Sequence, residues 1–195
     1  CTKAISPQYP LIELSSTLLA VLCLHTFGLS TLGLLAYIFC SYLLILSAID
    51  FATQWLPDEL TLSLLWIGLL CSTHYPTLFC STTESIYGAA LGYGTLWFTY
   101  HGYYLCTGKE GLGFGDLKLL AAMGAWLGMA SIPWILLIGA TLGSAVGLTA
   151  MAVGKRSRHD AIPFGPFLSM GALLVLFLQT SHRTHNIGLF HHIFG

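Results

Sequence analysis

Charge is what this sequence has least of. Seven Lys and Arg and eight Asp and Glu make up 8% of 195 residues, about a third of the share in an average soluble domain. So few charged side chains cannot hold the surface of a domain this size in water, which excludes a water-soluble globular enzyme. Intrinsic disorder is excluded as well, because it needs low hydrophobicity and high charge, whereas 55% of these residues are hydrophobic and the mean hydropathy is +0.77. Neither sign of charge dominates. With a formal charge of −1 and a pI near 6.7, nothing points to a nucleic-acid partner. Paired cysteine motifs are missing too: Cys1, Cys23, Cys40, Cys71, Cys80 and Cys106 show no CxxC spacing and fall mostly in apolar runs. That is the setting of buried free thiols rather than of disulfides or zinc. No basic segment with a cleavage site precedes the first apolar run, so no secretory signal is expected. The solvent for this chain is a lipid bilayer.

Crossing roughly 30 Å of hydrocarbon takes about 20 apolar residues, so the length allows about seven helical spans joined by short loops. Breaks rich in charge and turn residues place them at 11–29, 32–52, 61–79, 86–107, 117–129, 132–153 and 164–181. The expected fold is an all-α, polytopic transmembrane bundle. Its short fifth span is expected to be tilted, re-entrant or shielded by neighbours. Gly88, Gly92 and Gly94, and again Gly139, Gly143 and Gly147, read as positions where helix backbones approach each other. With seven spans, Lys3, Lys109, Lys118, Lys155, Arg156 and Arg158 share one side and only Arg183 lies opposite. The excess of cations sets an N-in, C-out orientation and makes the 50–60, 109–116 and 154–163 loops cytoplasmic. Residues 1–10 then precede the membrane domain at 11–181. Residues 182–195, with His182, His185, His191 and His192, read as a solvated outer tail rather than a metal site.

In a chain so sparing with charge, acids at membrane boundaries are expensive and point to function. Glu84 and Asp160 fall in expected loops and read as solvated. Glu13, near the start of the first span, reads as a charge complementing a helix N-terminus. Asp50 is different: it ends an apolar helix with no neighbouring cation. After it, Leu56-Pro57-Asp58 imposes an extended turn, because proline disfavours helix at the residue before it. Asp58 reads as the cap of a helix starting about Glu59. The second conspicuous acid is Asp116, in Gly111-Leu112-Gly113-Phe114-Gly115-Asp116-Leu117-Lys118, where glycines leave the backbone open to close approach by another chain. No Gly-Lys-Ser/Thr follows, so this is not a phosphate loop.

Asp50 and Asp116 are remote in sequence, yet the topology puts both at the cytoplasmic boundary. Two carboxylates facing each other cannot both ionise, so they share one proton and hold one water. One acid accepts a proton from that water while the other polarises an amide carbonyl, which is aspartyl protease chemistry. Helix-end fields suggest Asp50 as the protonated partner and Asp116 as the base, with the pair titrating as a unit.

Gly113-Phe114-Gly115-Asp116 resembles the GxGD signature of intramembrane aspartyl proteases. The stretch from Ile49-Asp50 through Leu56-Pro57-Asp58-Glu59-Leu60-Thr61, the segment Glu110 to Ala122, and Ile162-Pro163-Phe164-Gly165-Pro166-Phe167-Leu168 together resemble bacterial type IV prepilin peptidases over essentially the whole chain. The resemblance implies Asp50 and Asp116 as the catalytic pair, with Asp58, Gly113, Gly115 and Lys118 as supporting or substrate-binding residues. It also implies a prepilin or type II secretion pseudopilin as substrate, cut at the cytoplasmic face of the inner membrane, with no cofactor for peptide hydrolysis. Members of that family carry an N-terminal region of paired CxxC motifs associated with zinc and with S-adenosylmethionine-dependent methylation of the new N-terminus. Cys1 resembles the last of those cysteines, and one thiol cannot complete a four-ligand zinc site; methyl transfer is therefore not expected of this chain. Two alternatives remain: a proton- or cation-coupled transporter, which favours acids near the midplane and broken helices in matching halves, and an inactive truncated peptidase.

Overall fold

The computed structural model describes residues 8–76, 79–109, 111–153 and 163–194, with backbone alone beyond residue 179. The described residues form seven α-helices and no strand. They are α1 (Gln8–Phe27), α2 (Thr31–Thr53), α3 (Asp58–His74), α4 (Thr82–Thr107), α5 (Phe114–Leu127), α6 (Ile132–Ala152) and α7 (Gly165–Phe194). A 3-10 turn at Met129–Ser131 joins α5 to α6. All seven fall at the expected spans, with boundaries shifted by a few residues. The exceptions are α3, which ends earlier, and α7, whose backbone continues as helix to Phe194.

Helix ends follow local chemistry. Ser30 accepts the N–H of Gly33 and starts α2. Ser81 and Glu84 form a reciprocal capping box at α4, satisfying donors that the first turn leaves free. Glu84 is therefore a helix-starting residue, and the span begins at Thr82 rather than at 86. At the far end of α4, Gly108 adopts φ 68°, the left-handed conformation in which glycine closes a helix without a Cβ clash.

Three helices among the described residues are long and apolar enough to cross a membrane: Tyr9–Phe27, Thr31–Thr53 and Met129–Ala152. Large apolar side chains such as Leu14, Leu18, Trp134, Leu137 and Leu148 face outward, as lipid contact requires. The protein is an all-α helical membrane bundle. Its centre is α5. Every residue from Asp116 to Leu127 except Lys118 is buried, and a helix that is apolar all round belongs in the middle of a protein. The short fifth span is thus shielded, packed chiefly against α4 and α3 and also against α7.

The α4–α5 contact is backbone on backbone. A Cβ on Gly92 would lie 2.6 Å from the carbonyl oxygen of Leu120, and a Cβ on Gly88 would collide with the carbonyl of Gly124. On α6, Gly139 meets the backbone and side chain of Leu168 of α7, and Gly143 meets the ring of Phe167. Gly94 differs: nothing lies within 4 Å of its missing Cβ. Two residues beyond Gly92 it is turned about 200° around the helix, away from α5. On the other flank of α5, Trp126 donates its indole N–H to the Leu64 carbonyl at 2.9 Å and sits between Phe39, tilted against it, and Phe79, edge-on to it. Gly92→Val is expected to destabilise the bundle by at least about 1–3 kcal/mol through overpacking. Gly94→Ala should leave its thermal denaturation in detergent unchanged or slightly raised.

Candidate active site

Four helix ends converge at one end of the bundle. The chain leaves α2 through Gln54, a non-glycine residue at φ 54°, and turns at Leu56-Pro57 into α3. Leu56 is buried against Gly115, whose missing Cβ would lie 2.7 Å from the Leu56 Cβ. That contact seats the start of α5 on the α2–α3 turn. Asp50 occupies the last turn of α2 and Asp116 the first turn of α5. Both are buried, at 5% and 8% exposure, and their carboxylates are within electrostatic range of each other. The fold thus brings both acids to the same end of the bundle.

Each acid lies beside a helix N-terminus. Asp116 is the third residue of α5 and turns back over Gly113, its N-cap residue, whose carbonyl accepts the Asp116 N–H at 3.2 Å. Asp50 Oδ2 accepts the backbone N–H of Gly165, the first residue of α7, at 3.0 Å. This bond bears on the proton assignment. An N–H can only donate, so Oδ2 of Asp50 is the acceptor in this bond. The sequence-based choice of Asp50 as the protonated partner considered only the C-terminal end of its own helix. The fold adds the N-terminal end of α7, a second helix end beside Asp50 that the assignment did not take into account.

Asp58 and Lys118 are tied to each other, Nζ to Oδ1 at 2.6 Å. Asp58 is the first residue of α3 rather than its N-cap, which is Pro57, and makes no side-chain cap. Both members are partly exposed, at 55% and 26%, so the pair fastens α3 to α5 at the rim without entering the buried centre. The glycines of the loop separate by role. Gly111 lies on the ring of Tyr103 and Gly115 on Leu56, so both are packing positions, against the expectation of an open approach at Gly115. Gly113 is exposed, and the Asp116 carboxylate, 3.7 Å from its missing Cβ, is its one neighbour within 4 Å.

Glu13 is exposed and lies beyond the first turn of α1, so it complements no N-terminus. Cys23 and Cys40 are buried free thiols with sulfurs 3.9 Å apart. Among the described residues, no three His, Cys, Asp or Glu side chains converge as a metal site requires. Cys1, Glu110 and Asp160 lie outside the described residues, as do Lys3, Lys155, Arg156 and Arg158. Sequence reading missed Gly165 as a partner of Asp50. Its signal was a glycine followed by proline at a helix start, in a motif already conspicuous on other grounds.

Fold and site define a helical membrane bundle with a buried pair of aspartates drawn from two helices. The type IV leader peptidase family matches residues 37–148, a range containing both acids, and the chain belongs to that family. Among its relatives is the prepilin leader peptidase/N-methyltransferase of Burkholderia pseudomallei (strain K96243), 47% identical over 92% of this chain and 58% of the relative. Proteins of the same name from Pectobacterium carotovorum subsp. carotovorum and Legionella pneumophila are 42% and 40% identical, over 92% and 96% of this chain and 63% and 65% of theirs. The chain thus spans about three-fifths of these relatives' length. No solved structure matches significantly.

Gly115→Ala is expected to lower stability by about 1–3 kcal/mol, because its methyl must displace the rigid Cβ of Leu56. Gly113→Ala, at φ −80° and beside open space, should fold as the parent does in the same denaturation assay.

Proposed function

We propose that this chain is a membrane-embedded aspartic endopeptidase that removes the leader from type IV prepilins or type II secretion pseudopilins. Family membership supports the class of reaction, and the substrate follows the names of the relatives. The observation that carries the proposal is the buried approach of Asp50 and Asp116 from helices remote in sequence. In this reading the two acids face one water and hold one proton between them. The ionised member accepts a proton from a water while the other donates to the scissile carbonyl oxygen. The water oxygen bonds to the carbonyl carbon and gives a tetrahedral intermediate. Its collapse breaks the C–N bond as the leaving nitrogen takes up a proton, freeing the leader's carboxyl terminus and the pilin's new amino terminus. The acids perform this without a covalent enzyme intermediate, and the proposal is restricted to peptide hydrolysis.

Position supports the peptidase over a transporter, since each acid sits in a terminal turn rather than mid-helix. Lys109 and Lys118 lie at the same end of the bundle as the acids, and by the cation excess that end faces the cytoplasm. We place the chain in the inner membrane as a multi-pass protein, N-in and C-out, its site open to a substrate whose apolar helix stays in lipid. In this reading Gly113 is where the scissile strand passes beside Asp116. Asp58 and Lys118 support the site by fastening α3 to α5, and Gly115 by seating α5 on Leu56.

Incubating the chain with a prepilin in detergent or liposomes should give leader cleavage, read by mass. Asp50→Asn and Asp116→Asn should each lower the rate by at least about 10²-fold while inserting and folding normally. Substantial cleavage by either variant, or none by a folded parent, sinks the proposal.

A further inference from the structure

The start of α7 is built around one donor. Phe164 accepts the N–H groups of both Phe167 and Leu168, each at 3.1 Å, and Pro166 has no N–H. That leaves the N–H of Gly165 as the donor of this first turn without a partner in its own helix. It goes to Asp50 Oδ2, across the bundle, at 3.0 Å. The residue also lacks the side chain that the contact excludes. A Cβ at this position would stand 2.8 Å from Asp50 Oδ2, 3.4 Å from its Cγ and 3.5 Å from Leu119 Cδ2. Leu119 lies one turn beyond Asp116, on the same face of α5. Gly165 therefore occupies the corner where the Asp50 carboxylate meets the face of α5 that carries the second acid.

From this we infer that Gly165 is a positioning residue of the candidate active site: its N–H anchors one oxygen of Asp50, and its missing side chain leaves room for that carboxylate beside α5. The inference rests on the proposed peptidase reading for its catalytic consequence, and on geometry alone for the contact. Anchoring Oδ2 fixes the torsion of Asp50, which leaves Oδ1 as the oxygen free to face Asp116 and a water. A methyl group at 165 keeps the N–H but takes the volume of the anchored oxygen, so the carboxylate has to rotate away. Misplacing a reacting group by about 1 Å is enough to lose roughly 10²-fold in rate. Gly165 touches neither substrate nor water in this scheme. Its effect passes through Asp50.

Two measurements on the full chain test this. In prepilin cleavage, Gly165→Ala should lower kcat by about 10²-fold with KM within about twofold, because the substrate surface is untouched. An unchanged kcat, or a loss confined to KM, overturns the inference. The second measurement needs no activity. Gly165→Ala should lower the Tm in the parent background but much less in an Asp50→Ala background, where the colliding carboxylate is gone. Equal losses in both backgrounds overturn it. If Gly165→Ala alone fails to fold, the double variant Asp50→Ala/Gly165→Ala should fold as Asp50→Ala does, and its failure counts against the contact. Failure of the peptidase reading has a different signature: Asp50→Asn and Asp116→Asn would cleave like the parent, while the Tm cycle still shows coupling.

Discussion

Backbone contact between α4 and α5, made at Gly88 against Gly124 and at Gly92 against Leu120, fixes the position of the central helix from which the site is built. Lipid offers no hydrophobic drive for helices to associate, so close approach and dense packing must hold them together. With glycine on the facing surface, α5 sinks into α4 until carbonyls touch van der Waals surface. Trp126 locks the opposite flank by bonding to the Leu64 carbonyl. Once α5 is wedged between α4 and α3, the register of its first turn leaves little freedom, and that turn carries Asp116.

The same logic explains why acids survive in an apolar bundle. A buried carboxylate without partners is costly, and each of these finds a helix N-terminus: α5's own for Asp116 and that of α7 for Asp50. Neither helix start has a side-chain N-cap of the usual kind. Asp50 thus serves two ends at once, supplying an acceptor to the start of α7 and receiving a donor that makes its burial tolerable. The Asp58–Lys118 pair stands outside this arrangement at the wetter rim, where an ion pair fastens elements together without carrying much of the stability.

Much of this was legible in the sequence. Apolar run length and charged breaks located seven helices, and the scarcity of charge made Asp50 and Asp116 conspicuous before any geometry was known. Two local signals were also present but easily overlooked. Ser81-Thr82-Thr83-Glu84 is a capping box, and Gly92 and Gly94 cannot share a helix face because they are two residues apart. What sequence does not encode locally is which helix end meets which. The Gly165–Asp50 bond depends on α7 docking against α2, and the Gly115–Leu56 contact on a turn folding beneath α5. Lys118 likewise has no visible partner in the sequence until α3 is placed beside it. Each of these pairings is a product of tertiary packing, and side-chain type alone does not announce it.

The length of α5 has a physical consequence of its own. Its 14 residues reach about 21 Å, several ångströms less than the roughly 30 Å apolar slab of a typical bilayer. The 26 residues of α4 and 23 of α2 are longer, and α5 is enclosed by its neighbours, so the bilayer does not meet the shortfall. It is taken up inside the bundle, and the length of α5 answers to its packing partners rather than to membrane thickness.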